Sequence, residues 1–208
     1  MDLFYGRMSG NSARAMFGLR ESGARFTARL VDARAGENRS AAYLAVNPMG
    51  KIPALADGEF RLWESNAINW YVAEKQKASL LPATLEGRAS VQRWLFFQAA
   101  HVSQACVPLF QATNRGMREF WGTRIDEQVV DRARKDLARW LAVLDGALGG
   151  RDWLEGTFTL ADVAHAPHLW LTVEGGFDLA PFPAVRSWLE RVLKRPAWLE
   201  TRDQIFGS

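Results

Sequence analysis

The sequence predicts an α+β domain followed by an all-α helical-bundle domain. In the N-terminal part, short apolar strands alternate with helices, whereas beyond it apolar residues recur only at helical spacing. A polar connection with Pro82 and Gly87 separates the two parts and is typical of a linker. We therefore predict a first domain at 1–76, a linker at 77–87 and a second domain at 88–208.

The first domain is predicted to follow the order βαβ-α-ββα. Phe26, Ala28 and Leu30 alternate with polar residues, which marks a half-buried strand. Asp57-Gly58 is a turn signal between the last two strands. The predicted strands are 3–5, 26–30, 52–56 and 60–63, and the predicted helices are 12–22, 40–46 and 65–75. This order, with one strand antiparallel to the rest, is that of a thioredoxin-like domain.

The second domain is predicted to be helical throughout. Apolar residues keep helical spacing over 91–109 and over 130–148, and a Gly-Gly pair ends the latter helix. Thr159 is placed as the N-cap of a further helix, with Asp162 three residues on able to reach back to its amide. This motif is a folding device, and we assign it no catalytic role.

Composition limits the classes of function. The formal net charge is only +3 and basic residues are dispersed among acidic ones, so nucleic-acid binding is not expected. A single Cys excludes an internal disulfide and fits a reducing compartment. The N-terminus lacks signal-peptide features, and no apolar run approaches the roughly 20 residues that span a bilayer. We expect a soluble, cytoplasmic protein.

Five residues in two short runs are the most informative about function: Lys51, Ile52 and Pro53, and then Glu64 and Ser65. Proline cannot donate to a strand ladder, so Pro53 belongs at a strand start or in a special peptide. If the Ile52–Pro53 bond is cis, the Ile52 backbone faces outward and can pair with an extended peptide. Glu64 and Ser65 open a helix, where amides and a hydroxyl suit a carboxylate. A docking site for a small acidic peptide is predicted, with an ordinary hairpin as the alternative.

These residues resemble the glutathione-binding half of the glutathione S-transferase family, and the resemblance spans nearly the whole chain. It implies that Ile52, before Pro53, pairs through its backbone with the cysteinyl part of glutathione. It also implies that Glu64 and Ser65 hold the γ-glutamyl end and that Lys51 lies near the glycine carboxylate. Glutathione as co-substrate and a homodimer follow from the same resemblance.

The reaction of glutathione requires its thiolate, because the thiolate is the nucleophile. Lowering a thiol pKa by about two units means stabilising the anion by roughly 2.7 kcal/mol. The segment 8–14, between the first strand and helix, offers hydroxyl and amide donors at a helix N-terminus. In serine-type branches of the family the hydroxyl that contacts sulfur falls at Ser9, and in a related bacterial branch an Asn with that role falls at Asn11. The alternative is that Ser9, Asn11 and Ser12 only cap the helix; Tyr5, inside the strand, is interpreted as structural.

An acceptor site is expected where the helical domain faces Ser9, because the corresponding helix adjoins the cleft in the family. The candidates are Phe97, His101, Gln104 and Phe110. Core or subunit-contact roles for these four are the alternative. The many aromatic residues suit a flat, apolar electrophile.

Two other chemistries are not expected. His165 and His168 are three residues apart, but no Cys or third His lies near them in the sequence, so no metal site is predicted. Cys106 lies among apolar residues and is interpreted as inert core. Because the first domain has no Cys, any disulfide exchange would use the sulfur of glutathione itself.

The sequence thus predicts a glutathione S-transferase that stabilises the glutathione thiolate for attack on a small hydrophobic electrophile. A glutathione-dependent disulfide reductase or peroxidase on the same site is the first alternative, because the related branch with an Asn includes such reductases. A non-catalytic glutathione-binding module is the second.

Overall fold

The computed structural model describes residues 1–122, 124 and 126–207. The chain divides into two compact units, of which one contains Met1–Leu81 and the C-terminal residues from Pro196, and the other contains Pro82–Arg195. None of the helices in the described part of the chain combines the length and the apolarity that a bilayer crossing requires.

The first unit is built on a mixed four-stranded sheet. Its strands are β1 (Asp2–Tyr5), β2 (Thr27–Leu30), β3 (Ala54–Asp57) and β4 (Phe60–Trp63), in the order β2-β1-β3-β4. β1 pairs with β2 in parallel and with β3 antiparallel, and β3 pairs antiparallel with β4 across the predicted Asp57-Gly58 turn. The predicted thioredoxin-like fold class is confirmed. β3 begins at Ala54, so the predicted strand start at Ile52 is two residues too early.

The helices α1 (Gly10–Glu21) and α2 (Ala41–Leu44) lie between strands of this unit, and α3 (Ser65–Lys75) follows β4. A short 3₁₀ turn, Glu37–Arg39, precedes α2. Met16 and Phe17 of α1 and Ile68 of α3 are fully buried, and α1 contacts α3.

All regular structure among the described residues of the second unit is helical, as predicted. It contains α4 (Leu85–Phe97), a π-helical segment (Gln98–Val102), α5 (Ser103–Thr113), α6 (Arg115–Trp121), α7 (Glu127–Leu148), α8 (Leu160–Glu174) and α9 (Pro183–Leu193). The helix predicted over 91–109 is therefore interrupted by the π-helical segment. α4 begins inside the predicted linker, because Thr84 caps it by accepting from the Gly87 amide at 3.1 Å.

The last helix, α10 (Pro196–Phe206), belongs to the first unit, whereas the sequence placed all of 88–208 in the second domain. The reason is a set of contacts with α1 that helical spacing alone does not reveal. The rings of Phe17 and Trp198 meet edge to face with centroids 5.6 Å apart. Arg20 donates to Thr201 Oγ1 at 2.8 Å and to Gln204 Oε1 at 2.6 Å.

The capping box predicted at the start of α8 is present. The Thr159 hydroxyl accepts from the Ala161 amide, and Asp162 accepts from the Thr159 amide at 2.9 Å. Asp162 also accepts from the Leu154 amide at 3.1 Å and from Trp188 Nε1 at 2.8 Å. Burial raises the pKa of the Asp162 carboxyl, against the opposing effect of these donors. The carboxylate therefore joins three segments of the helical unit.

Candidate functional site

The N-terminus of α1 presents a hydroxyl with a proton to donate. Ser9 is the N-cap, and its Oγ accepts from the Ser12 amide at 3.2 Å. A serine hydroxyl has one donor as well as two acceptor positions, so this contact leaves the O–H of Ser9 able to donate. The Ser9 residue is 9% exposed, which keeps it partly shielded from water. Capping and donation to a ligand are thus compatible in one side chain.

The first turn of α1 also carries backbone donors. Within the part of the chain that the structure describes, the Gly10 and Asn11 amides have no hydrogen-bond acceptor, as expected for the first positions of a helix. Asn11 is exposed and its Oδ1 accepts from Arg14, so its amide nitrogen stays available as a donor. Ser12 is different, because it is fully buried and accepts from the Gly6 amide at 3.1 Å. Ser12 therefore has a structural role.

Arg14 connects two predicted parts of the site. This residue is only 3% exposed, and its Nη1 donates to Asn11 Oδ1 at 2.8 Å and to Ser65 Oγ at 2.9 Å. Asn69 Nδ2 donates to the backbone carbonyl of Arg14 at 2.9 Å, which fixes α3 against α1 at the same point. Sequence analysis assigns Arg14 no role, because its partner Ser65 lies 51 residues away. A buried guanidinium beside two helix N-termini favours a negatively charged ligand.

The peptide bond between Ile52 and Pro53 is cis. The amide and carbonyl of Ile52 make no hydrogen bond to any described residue, because the ladder between β1 and β3 starts only at Ala54. Gly6 lies against the Ile52 side chain, so that a Cβ on Gly6 would come within 2.0 Å of Ile52 Cδ1. Gly6 is a site residue that the sequence did not reveal, because this contact depends on tertiary structure. An unpaired backbone edge of this kind can pair with an extended peptide.

The segment before this edge is fixed from its inner side. The Lys51 carbonyl accepts from Tyr43 Oη and from Asn47 Nδ2, both at 2.6 Å. Burial raises the pKa of Tyr43 to about 12, with an opposing effect from Asn47. The phenol is therefore neutral and able to donate at physiological pH. The Lys51 side chain is exposed, as a contact with a ligand carboxylate would require.

The start of α3 has an unusual backbone geometry. Glu64 is the N-cap with φ 71° and ψ 114°, a region that side-chain-bearing residues rarely adopt. Such residues cluster at ligand sites, where the surrounding structure maintains them. The Glu64 side chain is exposed and makes no capping bond, whereas Ser65 is buried beside Arg14. Ser9, Asn11, Ser65 and the Ile52 edge all lie in the first unit, as predicted.

The four acceptor candidates occupy different environments in the second unit. The rings of Phe97 and His101 have centroids 5.5 Å apart, and the His101 ring also contacts the Trp140 ring, tilted by 41° with centroids 4.7 Å apart. Gln104 is exposed, and its Nε2 donates to the Ala99 carbonyl at 3.2 Å. Phe110 is 3% exposed, which favours the alternative that it belongs to the core. A role for these residues in binding an acceptor stays a prediction.

The contacts of His165, His168 and Cys106 are structural. His165 is buried with Nδ1 2.8 Å from the Ala161 carbonyl, and His168 is buried with Nδ1 3.0 Å from Ser103 Oγ. Cys106 is buried. Among the residues with described positions, no three His, Cys, Asp or Glu side chains form a group that could hold a metal ion.

Comparison with known proteins gives matches along most of the chain. Residues 1–74 match the family described as glutathione S-transferase, N-terminal domain, and residues 97–196 match glutathione S-transferase, C-terminal domain. Glutathione S-transferase F10 of Arabidopsis thaliana is 34% identical over 204 residues, with 94% of both chains covered. Glutathione S-transferase 3 of Zea mays is 36% identical over 202 residues, covering 93% of this chain and 89% of the maize protein.

Two solved structures illustrate the similarity of fold. Glutathione transferase F7 from Populus trichocarpa superimposes with a TM-score of 0.89 at 28% identity, covering 98% of both chains. The theta class glutathione S-transferase from the citrus canker pathogen Xanthomonas axonopodis pv. citri, which has glutathione bound, gives a TM-score of 0.87 at 28% identity. That match covers 96% of this chain and 95% of the Xanthomonas chain.

Proposed function

The chain belongs to the glutathione S-transferase family of enzymes, and from that premise we propose that it activates the glutathione thiol with Ser9 for attack on a small hydrophobic electrophile. The observation that carries the proposal is the start of α1, where an N-cap hydroxyl and two backbone amides have donor capacity that the described chain does not use. These donors are of the kind that stabilises an anion at a helix N-terminus.

The free energy needed to stabilise the thiolate is within what the donors at the start of α1 can supply. A free thiol has a pKa near 8.5, so about two units of lowering corresponds to roughly 2.7 kcal/mol of preferential binding of the thiolate. A hydrogen bond to a charged group contributes about 1.5–3 kcal/mol, and a helix N-terminus adds about 0.3–1 kcal/mol. The Ser9 hydroxyl together with the first turn of α1 is therefore sufficient to stabilise the thiolate by this amount, with Asn11 as partner or replacement of Ser9.

The remaining residues would bind the tripeptide away from its sulfur. The Ile52 backbone, which makes no hydrogen bond to a described residue, would pair with the cysteinyl backbone, and the exposed Lys51 would bind the glycine carboxylate. Glu64 and Ser65 would receive the γ-glutamyl end, next to the buried Arg14 guanidinium. In the reaction, a carbon–sulfur bond forms as the leaving group departs from the electrophile, and the thiol proton passes to solvent. The homodimer and the cytoplasmic location remain predictions.

The test is the conjugation of glutathione to 1-chloro-2,4-dinitrobenzene by the purified protein. We expect Ser9→Ala to lower turnover about tenfold to a hundredfold near neutral pH and to raise the pKa of the bound thiol, with little change in glutathione affinity. Glu64→Ala and Ser65→Ala should instead weaken glutathione binding. Equal kinetics for Ser9→Ala and the parent would transfer the role to Asn11, and absence of glutathione binding by calorimetry would refute the proposal.

A second candidate function is glutathione-dependent disulfide reduction, which Asn11 favours because its side-chain amide is exposed at the helix start. In that reaction two glutathione molecules are oxidised to glutathione disulfide as one substrate disulfide is reduced to two thiols. Comparing the aryl halide with a small disulfide as substrates of one preparation separates the two reactions. Binding of glutathione without turnover of either substrate would indicate the non-catalytic module.

A further inference from the structure

The residue immediately before Ser9 has a constrained backbone. Met8 has φ 52°, in the left-handed region that favours glycine. A residue in this region is strained and persists only where neighbouring structure maintains it. The direction in which the Ser9 side chain leaves the backbone depends on this geometry, because Met8 is joined directly to it. The contacts that maintain Met8 therefore bear on the position of the Ser9 hydroxyl.

Those contacts come from the other end of the chain. The Met8 amide donates to the Ile205 carbonyl of α10 at 3.1 Å. The guanidinium of Arg7 donates to the Gly207 carbonyl, just past the end of α10. The last carbonyls of a helix have no partner within that helix, and its C-terminal end attracts positive charge. Donors in the loop before Ser9 thus pair with carbonyl acceptors at the end of α10.

α10 is firmly anchored, so that it can serve as a reference for this loop. Trp198, Thr201 and Ile205 are all fully buried along one side of the helix. Phe17 and Arg20 of α1 contact the same helix further from Ser9, through the Trp198 ring and the Thr201 hydroxyl. The body of α1 and the loop before it therefore make separate contacts with α10.

We propose that the C-terminal end of α10 is a positioning element for the sulfur site: the Ile205 and Gly207 carbonyls fix Arg7 and Met8, and thereby orient the Ser9 hydroxyl. This inference rests on the proposed role of Ser9. In this proposal the two carbonyls act through the loop and not through contact with glutathione. A purely structural role for α10 would affect stability alone, whereas a positioning role changes the acidity of the bound thiol.

A matched pair of arginine variants separates the two roles. Arg7→Met removes a guanidinium that binds α10 from the loop, and Arg20→Met removes one that binds α10 from the body of α1. Arg7 is exposed and Arg20 is half-buried, so Arg20→Met should lower the melting temperature more. We expect the opposite order for the bound thiol: Arg7→Met raises its pKa by about half a unit, and Arg20→Met leaves it unchanged. The pKa is measured from the ultraviolet absorbance of the thiolate against pH.

Ile205→Ala is the stronger variant and carries no change of charge. It loosens the last turn of α10, and we expect the bound thiol pKa to rise by about one unit, which lowers turnover about tenfold well below that pKa. The loss should be recovered at higher pH, with the glutathione dissociation constant within about twofold of the parent. If Ile205→Ala does not fold, Arg7→Met still tests the proposal. The rise in the thiol pKa caused by Arg7→Met should persist at high salt, where the effect of losing an exposed charge alone would be screened.

The same shifts are measured in a Ser9→Ala background. If α10 acts through Ser9, Ile205→Ala no longer changes the thiol pKa there. The inference fails if neither Arg7→Met nor Ile205→Ala moves the pKa, if Arg20→Met moves it equally, or if the shift survives without Ser9. A Ser9→Ala protein with the parent's thiol pKa would instead refute the proposed role of Ser9, so the two failures are distinguishable.

Discussion

The starts of α1 and α8 have the same kind of N-cap but differ in how many hydrogen-bond donors they leave unused. Each begins with a hydroxyl N-cap, Ser9 or Thr159, that accepts a backbone amide of the first turn. Three residues later α8 has Asp162, which reaches back to the N-cap amide, whereas α1 has Ser12, which turns away to the Gly6 amide. The first turn of α1 contains no acidic residue.

The consequence is a difference in donor capacity. At α8 the Asp162 carboxylate is fully buried and accepts from the Leu154 and Thr159 amides and from Trp188 Nε1, so we describe this helix start as closed. At α1 the amides of Gly10 and Asn11 and the hydroxyl of Ser9 keep donors unused by described residues. At the third helical position α8 has a carboxylate that completes a folding motif, whereas α1 has a hydroxyl, and this difference leaves the first turn of α1 open for the anion site that we propose. The closed start stabilises itself, and the open start depends on contacts from neighbouring elements.

The largest effect is expected at the closed start. Asp162→Ala should lower the free energy of unfolding by about 4 kcal/mol, because it leaves buried donors of Leu154, Thr159 and Trp188 unpaired at roughly 1–3 kcal/mol each, partly relieved by relaxation. Urea denaturation followed by circular dichroism measures the loss.

Asp126 provides the control for that measurement. It is the N-cap of α7, exposed, and accepts from the Gln128 and Val129 amides. Asp126→Ala should cost only about 1 kcal/mol, the ordinary value of an N-cap. Similar losses for Asp162→Ala and Asp126→Ala would mean that the two caps do not differ in the way described.

An intermediate effect is expected where α1 is held by α3. A Cβ on Gly18 would come within 2.3 Å of the buried Asn69 side chain, which is already bonded to the Arg14 carbonyl and cannot easily move. Gly18→Ala should therefore destabilise the protein by about 2 kcal/mol, a typical cost of overpacking. Thermal and urea unfolding measure it.

Gly146 is the matched control, since it lies inside α7 with open space where a Cβ would stand. Gly146→Ala should stabilise the protein by about 0.5–1 kcal/mol through helix propensity alone. If Gly18→Ala were stabilising as well, the close packing that positions the start of α1 would not be tight, and the dependence on neighbouring elements would be weaker than we infer.

Local features of the fold could be predicted from the sequence because they depend on residues close together in the chain. The capping box joins Thr159 to Asp162 within one turn, and the β3–β4 hairpin turns at Asp57-Gly58. The start of α3 at Ser65 was likewise predicted at the right residue. The capping box and the hairpin are selected by contacts between residues three apart in the chain, Thr159 with Asp162 and Asp57 with Phe60.

The unpredicted features depend on distant partners. The bond from Arg14 to Ser65 and the close approach of Gly6 to Ile52 exist only once the first unit has folded. The assignment of α10 to the first unit has the same cause, since its apolar spacing is helical wherever it packs. The sequence therefore located Ser9 and the Ile52 edge as candidates, but not the residues that orient them.

The smallest effect distinguishes the two hydroxyls at the start of α1. Ser12→Ala should cost about 1 kcal/mol of stability, because the buried Gly6 amide loses its acceptor at 3.1 Å. It should leave the pKa of the bound glutathione thiol within about 0.2 units of the parent value, because the Ser12 hydroxyl faces back to the β1–α1 loop. Ser9→Ala should instead raise that pKa at a similar cost in stability, since an N-cap is also worth about 1 kcal/mol. Thiolate absorbance and thermal unfolding of the two variants, measured together, decide the question. An equal rise of the thiol pKa in both would show that the site responds to any loosening of the helix start, and the distinction between a capping and an activating hydroxyl would be lost.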